Sequence, residues 1–168
     1  AENAIYNAAG NPVLTNQVLN SVNLNQKTLV QVASSENAGQ AYNSLVKVDD
    51  DTYALAYDNG DGVVATFSIS ADGSNITKVS SLVHDTDKTY DNSFIQMNDD
   101  NYVLAYAGTG YDGYLSTFTI NSDGSSIKKV WNDEHDENQG RSNSMVKVND
   151  ATYLLAYSAN GYDGYIKS

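Results

Sequence analysis

Apolar and polar positions alternate with a period of two along most of this chain, and the alternation restarts every fifty residues or so. In "TYALAY" at 52–57, Tyr53, Leu55 and Tyr57 alternate with Ala54 and Ala56, and the pattern returns as Tyr102/Leu104/Tyr106 and Tyr153/Leu155/Tyr157. That period predicts strands with one aromatic face and one small face. A strand that is apolar on both faces is covered on both sides, and alanine on one of them lets a neighbouring sheet come close. The segments that follow, "VVATFSI" and "YLSTFTI", place Val63, Ala65, Phe67 and Ile69 on one face, then Tyr114, Ser116, Phe118 and Ile120.

Turn residues separate these segments at constant places. Asp49-Asp50-Asp51, Asn98-Asp99-Asp100 and Asn149-Asp150-Ala151 divide the first strand from the second, where Asn and Asp satisfy backbone groups and accept left-handed geometry. Asp72-Gly73 and Asp123-Gly124 divide the third from the fourth and predict type I′ turns with positive φ twice. The units open at Asn43, Asn92 and Asn143, at offsets of 49 and 51, and the difference falls in a loop. Each unit is predicted to be four short antiparallel strands; helical windows are nearly absent, and Pro12 stands outside the repeats.

A four-stranded unit of about fifty residues is the size of a β-propeller blade. The run "YxLAY…DGYxxTFxI…DGSxI" resembles the tandem blade repeats of large bacterial surface and secreted proteins, over Asn43 to Ser168. Kelch, WD40 and sialidase propellers are poorer motif matches: paired kelch glycines, a Trp-Asp dipeptide and a true Asp-box are missing. The resemblance implies an all-β, β-propeller-like array of four-stranded antiparallel blades, incomplete in one chain, with a β-trefoil or β-prism as the alternative for a threefold repeat. Residues 1–42 would form a diverged N-terminal half-blade, 43–91 and 92–142 full blades, and 143–168 a partial blade. A closed propeller takes four to eight blades, so either a longer array or self-association of chains is expected, the open strand inviting a partner.

Charge narrows the partners. The chain of 168 residues carries 9 Lys+Arg against 21 Asp+Glu, net −12, which repels nucleic acid and anionic membranes. No apolar run reaches the roughly 18 residues of a membrane helix, so no membrane insertion is expected. There is no cysteine, which removes disulfides and thiolate chemistry. An acidic, cysteine-free chain rich in Asn, Ser, Thr and Tyr points to the extracellular space or a bacterial cell surface, and Ala1-Glu2-Asn3-Ala4 suits a terminus left by signal cleavage.

The most distinctive motif is "GYDGY" at 110–114 and again at 161–165. Asp112-Gly113 and Asp163-Gly164 predict a hairpin turn, with Asp61-Gly62 as its counterpart in the first unit. Turn geometry does not demand the aromatics, so Tyr111, Asp112, Tyr162, Asp163 and Asp61 form the candidate ligand-binding set, rings stacking on a sugar or protein and carboxylates accepting hydroxyls. "YDNGDG" at 57–62 approaches a calcium loop but has Tyr57 at the first ligand place and no glutamate at the twelfth. His84 and His135 recur at equivalent places and are read as structural; the acids beside them, Asp85, Asp87 and Asp136, are the remaining calcium candidates, and no other cofactor is expected.

No nucleophile elbow, His-Glu-x-x-His or phosphate loop is present. The expected function is therefore a non-enzymatic adhesion module that recognises glycan or protein multivalently through repeated loops. The alternative is a structural subunit of a surface layer or filament, and a glycosidase-like enzyme is a distant third.

Overall fold

A computed structural model describes residues 31, 33–34 and 41–168, and it is all-β. Three antiparallel sheets form among them. The first is a meander of β1 (Ala41–Lys47), β2 (Thr52–Asp58), β3 (Gly62–Ile69) and β4 (Ile76–Asp85). The second repeats it with β5 (Tyr90–Asn98), β6 (Asn101–Ala107), β7 (Gly113–Ile120) and β8 (Ile127–Asp136). The third has β9 (Arg141–Asn149), β10 (Thr152–Ser158) and the short β11 (Gly164–Lys167). The half-blade expected over 1–42 lies almost wholly outside the described residues, and Ala41 and Tyr42 already belong to β1.

Two compact units divide the chain, one of 1–35 with Ser70–Ile76, the other of Glu36–Ile69 with Thr77–Ser168. In the smaller unit the turn after β3 departs from the type I′ expectation. Only Gly73 is left-handed (φ 71°); its N–H donates to the Ser70 carbonyl (2.7 Å), and the Asp72 carboxylate accepts the Ser74 N–H (3.0 Å). In the larger unit Gly124 (φ 71°) and Asp123 behave alike. The acid therefore serves as an acceptor for the backbone two residues on, a local Asx bond that needs no positive φ of its own.

Within the larger unit the sheets pack large against small. Ala54, Ala56 and Val64 of the first sheet meet Phe94, Tyr102, Leu104 and Tyr106 of the second in one buried cluster. The next joint repeats the rule, with Ala105 against Leu155 and Tyr157. The aromatic face of each "YxLAY" strand thus fills the space that alanines leave on the sheet before it. Burying each such ring or leucine stabilises by about 1.5–3 kcal/mol, provided the facing row stays small.

A repeated bulge sets the joint. Tyr42, Asp91 and Ser142 hold left-handed backbone at φ 55°, 53° and 54°, and at each place the inner strand carries one extra residue. Such an insertion leaves its extra residue unpaired and bends the strand, which lies at the edge of its sheet and faces the sheet before it with its free amides. The Phe94 N–H donates to Ser44 Oγ of the preceding sheet (2.9 Å), and the Met145 N–H donates to Ser93 Oγ (2.9 Å). Farther out, Tyr106 Oη donates to Asp85 (3.1 Å) and Tyr157 Oη to Asp136 (3.0 Å). Thr66 Oγ1 donates to the Gly124 carbonyl (2.6 Å), tying the first sheet to the β7–β8 turn.

Ser93→Ala strands the Met145 amide and should lower unfolding free energy by about 1–2 kcal/mol in urea titration. Ser144→Ala, at the exposed counterpart, should change it by less than about 0.5 kcal/mol.

Candidate functional site

The GYDGY loops do not turn where the Asp-Gly pair predicts. A 3₁₀ turn spans Thr109–Tyr111, and the left-handed residues are Gly110 (φ 82°) and Tyr111 (φ 72°); Gly161 (81°) and Tyr162 (66°) repeat it. The chain closes when Asp112 and Asp163 offer backbone carbonyls to the N–H groups of Gly108 and Ala159 (both 2.9 Å). In the first sheet Gly60 (φ 109°) takes the left-handed place, and the Asp61 carbonyl accepts from the Asn59 N–H (3.1 Å). The carboxylates of Asp61, Asp112 and Asp163 make no hydrogen bond among the described residues.

The glycine of Asp-Gly has a packing role instead. Gly62 and Gly113 open their strands with no side chain because a histidine ring occupies that space: a Cβ on Gly62 would strike His84 and Thr89, and one on Gly113 would strike His135 and the backbone of Gly140. His84 stands edge-on to Tyr106 (5.0 Å between centroids) and His135 to Tyr157 (4.7 Å). Both histidines are therefore wedges at the sheet joints. Burial, with Lys129 adding to it against Asp85, pushes His84 down to about 4; burial and Lys167 also lower His135. The pattern of an isolated recurring His signalled repetition, but not the glycine that it needs.

Tyr111 and Tyr162 occupy equivalent places with different surroundings. The Tyr111 ring lies between the Tyr90 ring (5.2 Å) and the Arg141 guanidinium (4.3 Å over its face). The third sheet supplies that arginine. Tyr162 is 85% exposed. Beneath Tyr111 an open cleft of about 500 Å³ is lined by Gly60, Asp87, Lys88, Tyr90, Thr109 and Tyr111. It brings together Tyr111 and Asp87, which the sequence placed in separate motifs, while Asp61 and Asp112 are not in its lining. Lys88, Tyr90 and Thr109 were missed; the junction of one unit with the next carries no motif of its own.

The calcium candidates are engaged otherwise. Asp85 accepts from the Asp87 N–H (3.1 Å) and Tyr106 Oη (3.1 Å). Asp136 accepts from the N–H groups of Asn138 and Gln139 (both 3.1 Å) and from Tyr157 Oη (3.0 Å). Among the described residues, no group of three or more His, Cys, Asp or Glu side chains is placed to hold a metal ion.

No family model and no curated protein sequence matches the chain. Its fold is similar to part of the NanB sialidase from Streptococcus pneumoniae, with a TM-score of 0.61 and 16% identity, over 79% of this chain and 22% of that one. This chain spans about a fifth of that protein's length, and the likeness is one of fold.

Two outcomes test the wedges. Gly113→Ala should cost about 2 kcal/mol or more, whereas Gly164→Ala, with nothing within 4 Å of the added carbon, should be near neutral by thermal melting. The unfolded chain binds the His84 proton near 6.5 and the native chain near 4, so the stability His84 gives above 6.5 is lost as pH falls through that window. Comparing pH 7 with pH 5, urea titrations of His84→Gln should show a drop smaller by about 2 kcal/mol than that of the parent protein.

Proposed function

We propose that the three sheets are successive blades of a propeller-type array, of the kind seen in tandem bacterial surface repeats, and that the array works extracellularly by binding rather than by catalysis. The ligand is a carbohydrate, held in the cleft under Tyr111 and in its counterparts along the same loop edge. The cleft itself carries this reading: ring edges from Tyr90 and Tyr111 stand beside a carboxylate, an ammonium and a hydroxyl, the mixture that packs on a pyranose face and meets its hydroxyls. Tyr162, unpaired by any arginine, offers an open aromatic face at the next place. Repeated weak clefts on one edge gain avidity from a polymeric glycan without new contacts. The fold neighbour is named a sialidase, which lends a leaning toward sugar and no residue roles.

A second reading, a structural subunit that assembles through its sheets, is favoured by the apolar residues left open on the third sheet and beside it: Val146 is 56% exposed, Val148 55% and Ile166 74%. Micrographs with polymers that lengthen with concentration and ignore added sugar would support it.

The binding reading is tested on a glycan array followed by calorimetry. Asp87→Ala with Lys88→Ala, both exposed, and separately Tyr162→Ala, should weaken glycan binding by about tenfold or more with melting temperature unchanged. Retention of full affinity in all of these variants, or no glycan bound by the parent chain, rejects it.

A further inference from the structure

Tyr111 stands in the wall of the loop-edge cleft, yet its backbone is left-handed (φ 72°), a conformation that costs a residue with a side chain and persists where neighbours hold it. Part of the hold is local: the Tyr111 N–H donates to the Gly108 carbonyl (3.0 Å). The rest comes from one short stretch where the third sheet begins. The Gly140 N–H donates to the Tyr111 carbonyl (2.8 Å), and the Arg141 guanidinium lies 4.3 Å over the centre of the Tyr111 ring. Two consecutive residues thus grip the backbone and the side chain of one tyrosine.

The grip is anchored in its turn. A Cβ on Gly140 would strike the backbone of Gly113 and the ring of His135, so glycine is what brings that N–H to the Tyr111 carbonyl. Arg141 Nε donates to the Asp91 carboxylate (3.3 Å), and the same oxygen accepts the Ser142 N–H (3.0 Å). Asp91 follows Tyr90 in the chain, and the Tyr90 ring meets that of Tyr111 (5.2 Å between centroids), which closes a circuit through Arg141. Neither Arg141 nor Asp91 lines the cleft. The side chains that do, Asp87, Lys88, Tyr90, Thr109 and Tyr111, make no hydrogen bond or ion pair among the described residues.

We propose that Arg141 is the positioning residue of this cleft: without touching a ligand, it fixes the Tyr111 ring against Tyr90 in the arrangement that the ligand meets. The inference rests on the carbohydrate reading above and names the element that prepares its site. Arg141 covers one face of the ring, and Tyr111 remains 41% exposed, which leaves ring edge and hydroxyl for a sugar. A ring ordered in advance need not be ordered on binding, so the cation–π cap raises affinity from outside the cleft. The cleft is therefore made by three sheets, with Gly60 from the first, Tyr111 from the second and Arg141 from the third.

Two measurements on the whole chain test this. Without sugar, proton NMR should show close contact between the Tyr90 and Tyr111 rings, weakened in Arg141→Met and regained in Arg141→Lys, which keeps a cation over the ring. Calorimetry then uses maltohexaose, cellohexaose, laminarihexaose and chitohexaose, at least one of which the parent chain should hold. Arg141→Met should weaken that binding about fivefold or more with melting temperature within about 2 °C, and Arg141→Lys should come within about twofold of the parent. Combined with Tyr111→Ala, Arg141→Met should cause no further loss, because the arginine acts through that ring alone. If Arg141→Met melts lower, Asp91→Asn, which loosens the arginine and keeps an acceptor for Ser142, must show a loss of the same sign. Unchanged ring contact or unchanged affinity in Arg141→Met, no loss in Asp91→Asn, or a full additional loss beside Tyr111→Ala overturns the positioning role and leaves the carbohydrate reading standing. A parent chain that holds none of the four sugars overturns both.

Discussion

One hydrogen bond, made twice, sets how the sheets meet. A left-handed residue and a bulge open the first strand of each sheet, and three residues past the left-handed one an outward amide of the second and third sheets donates to a serine of the preceding sheet: Phe94 to Ser44, then Met145 to Ser93. Left-handed backbone at Tyr42, Asp91 and Ser142 is costly for side-chain-bearing residues, and at Asp91 and Ser142 it stands three residues before the amide that bonds to the preceding sheet. With that spacing fixed, the rest of the joint follows. Aromatic rows land on alanine rows, tyrosine hydroxyls reach the acids that end β4 and β8, and histidine rings fill the space left by glycines.

The same spacing generates the surface features. At the loop edge it brings the junction residues Asp87, Lys88 and Tyr90 under the Thr109–Tyr111 turn, making a cleft that no single repeat contains. Equivalent places are covered to different degrees in the second and third sheets. Tyr162 and Ile166 are exposed where Tyr111 is capped and Leu115 partly covered, although the sequence places each pair at equivalent positions. Exposure at equivalent places therefore depends on which sheet carries the residue as much as on residue type.

Much of this was legible in the sequence. The period-two alternation, the alanine face and the offsets of 49 and 51 foretold antiparallel sheets in units of about fifty residues, with alanines where a neighbouring sheet comes close. The recurrence of His84 and His135 marks one shared place in each unit, and both rings pack edge-on to a tyrosine there. The turns were misplaced for a physical reason: Asp-Gly is a strong signal for positive φ, but here Gly113 is demanded by the ring of His135, and the left-handed pair is Gly110-Tyr111. Sequence composition cannot distinguish a glycine needed for φ from one needed for space. The packing of Tyr111 against Arg141 was likewise hidden, because it joins residues of different repeats whose counterparts, Asp91 excepted in its own bond to Arg141, do not share chemistry.

Native-state hydrogen exchange of the two inter-sheet amides tests the account most directly. If the joints are built as described, the Phe94 and Met145 amides exchange as slowly as ladder amides within β6, because their partners lie in the adjoining sheet and open only when the sheets part. Exchange of those two amides at the rate of unprotected peptide, with β6 still protected, would contradict it.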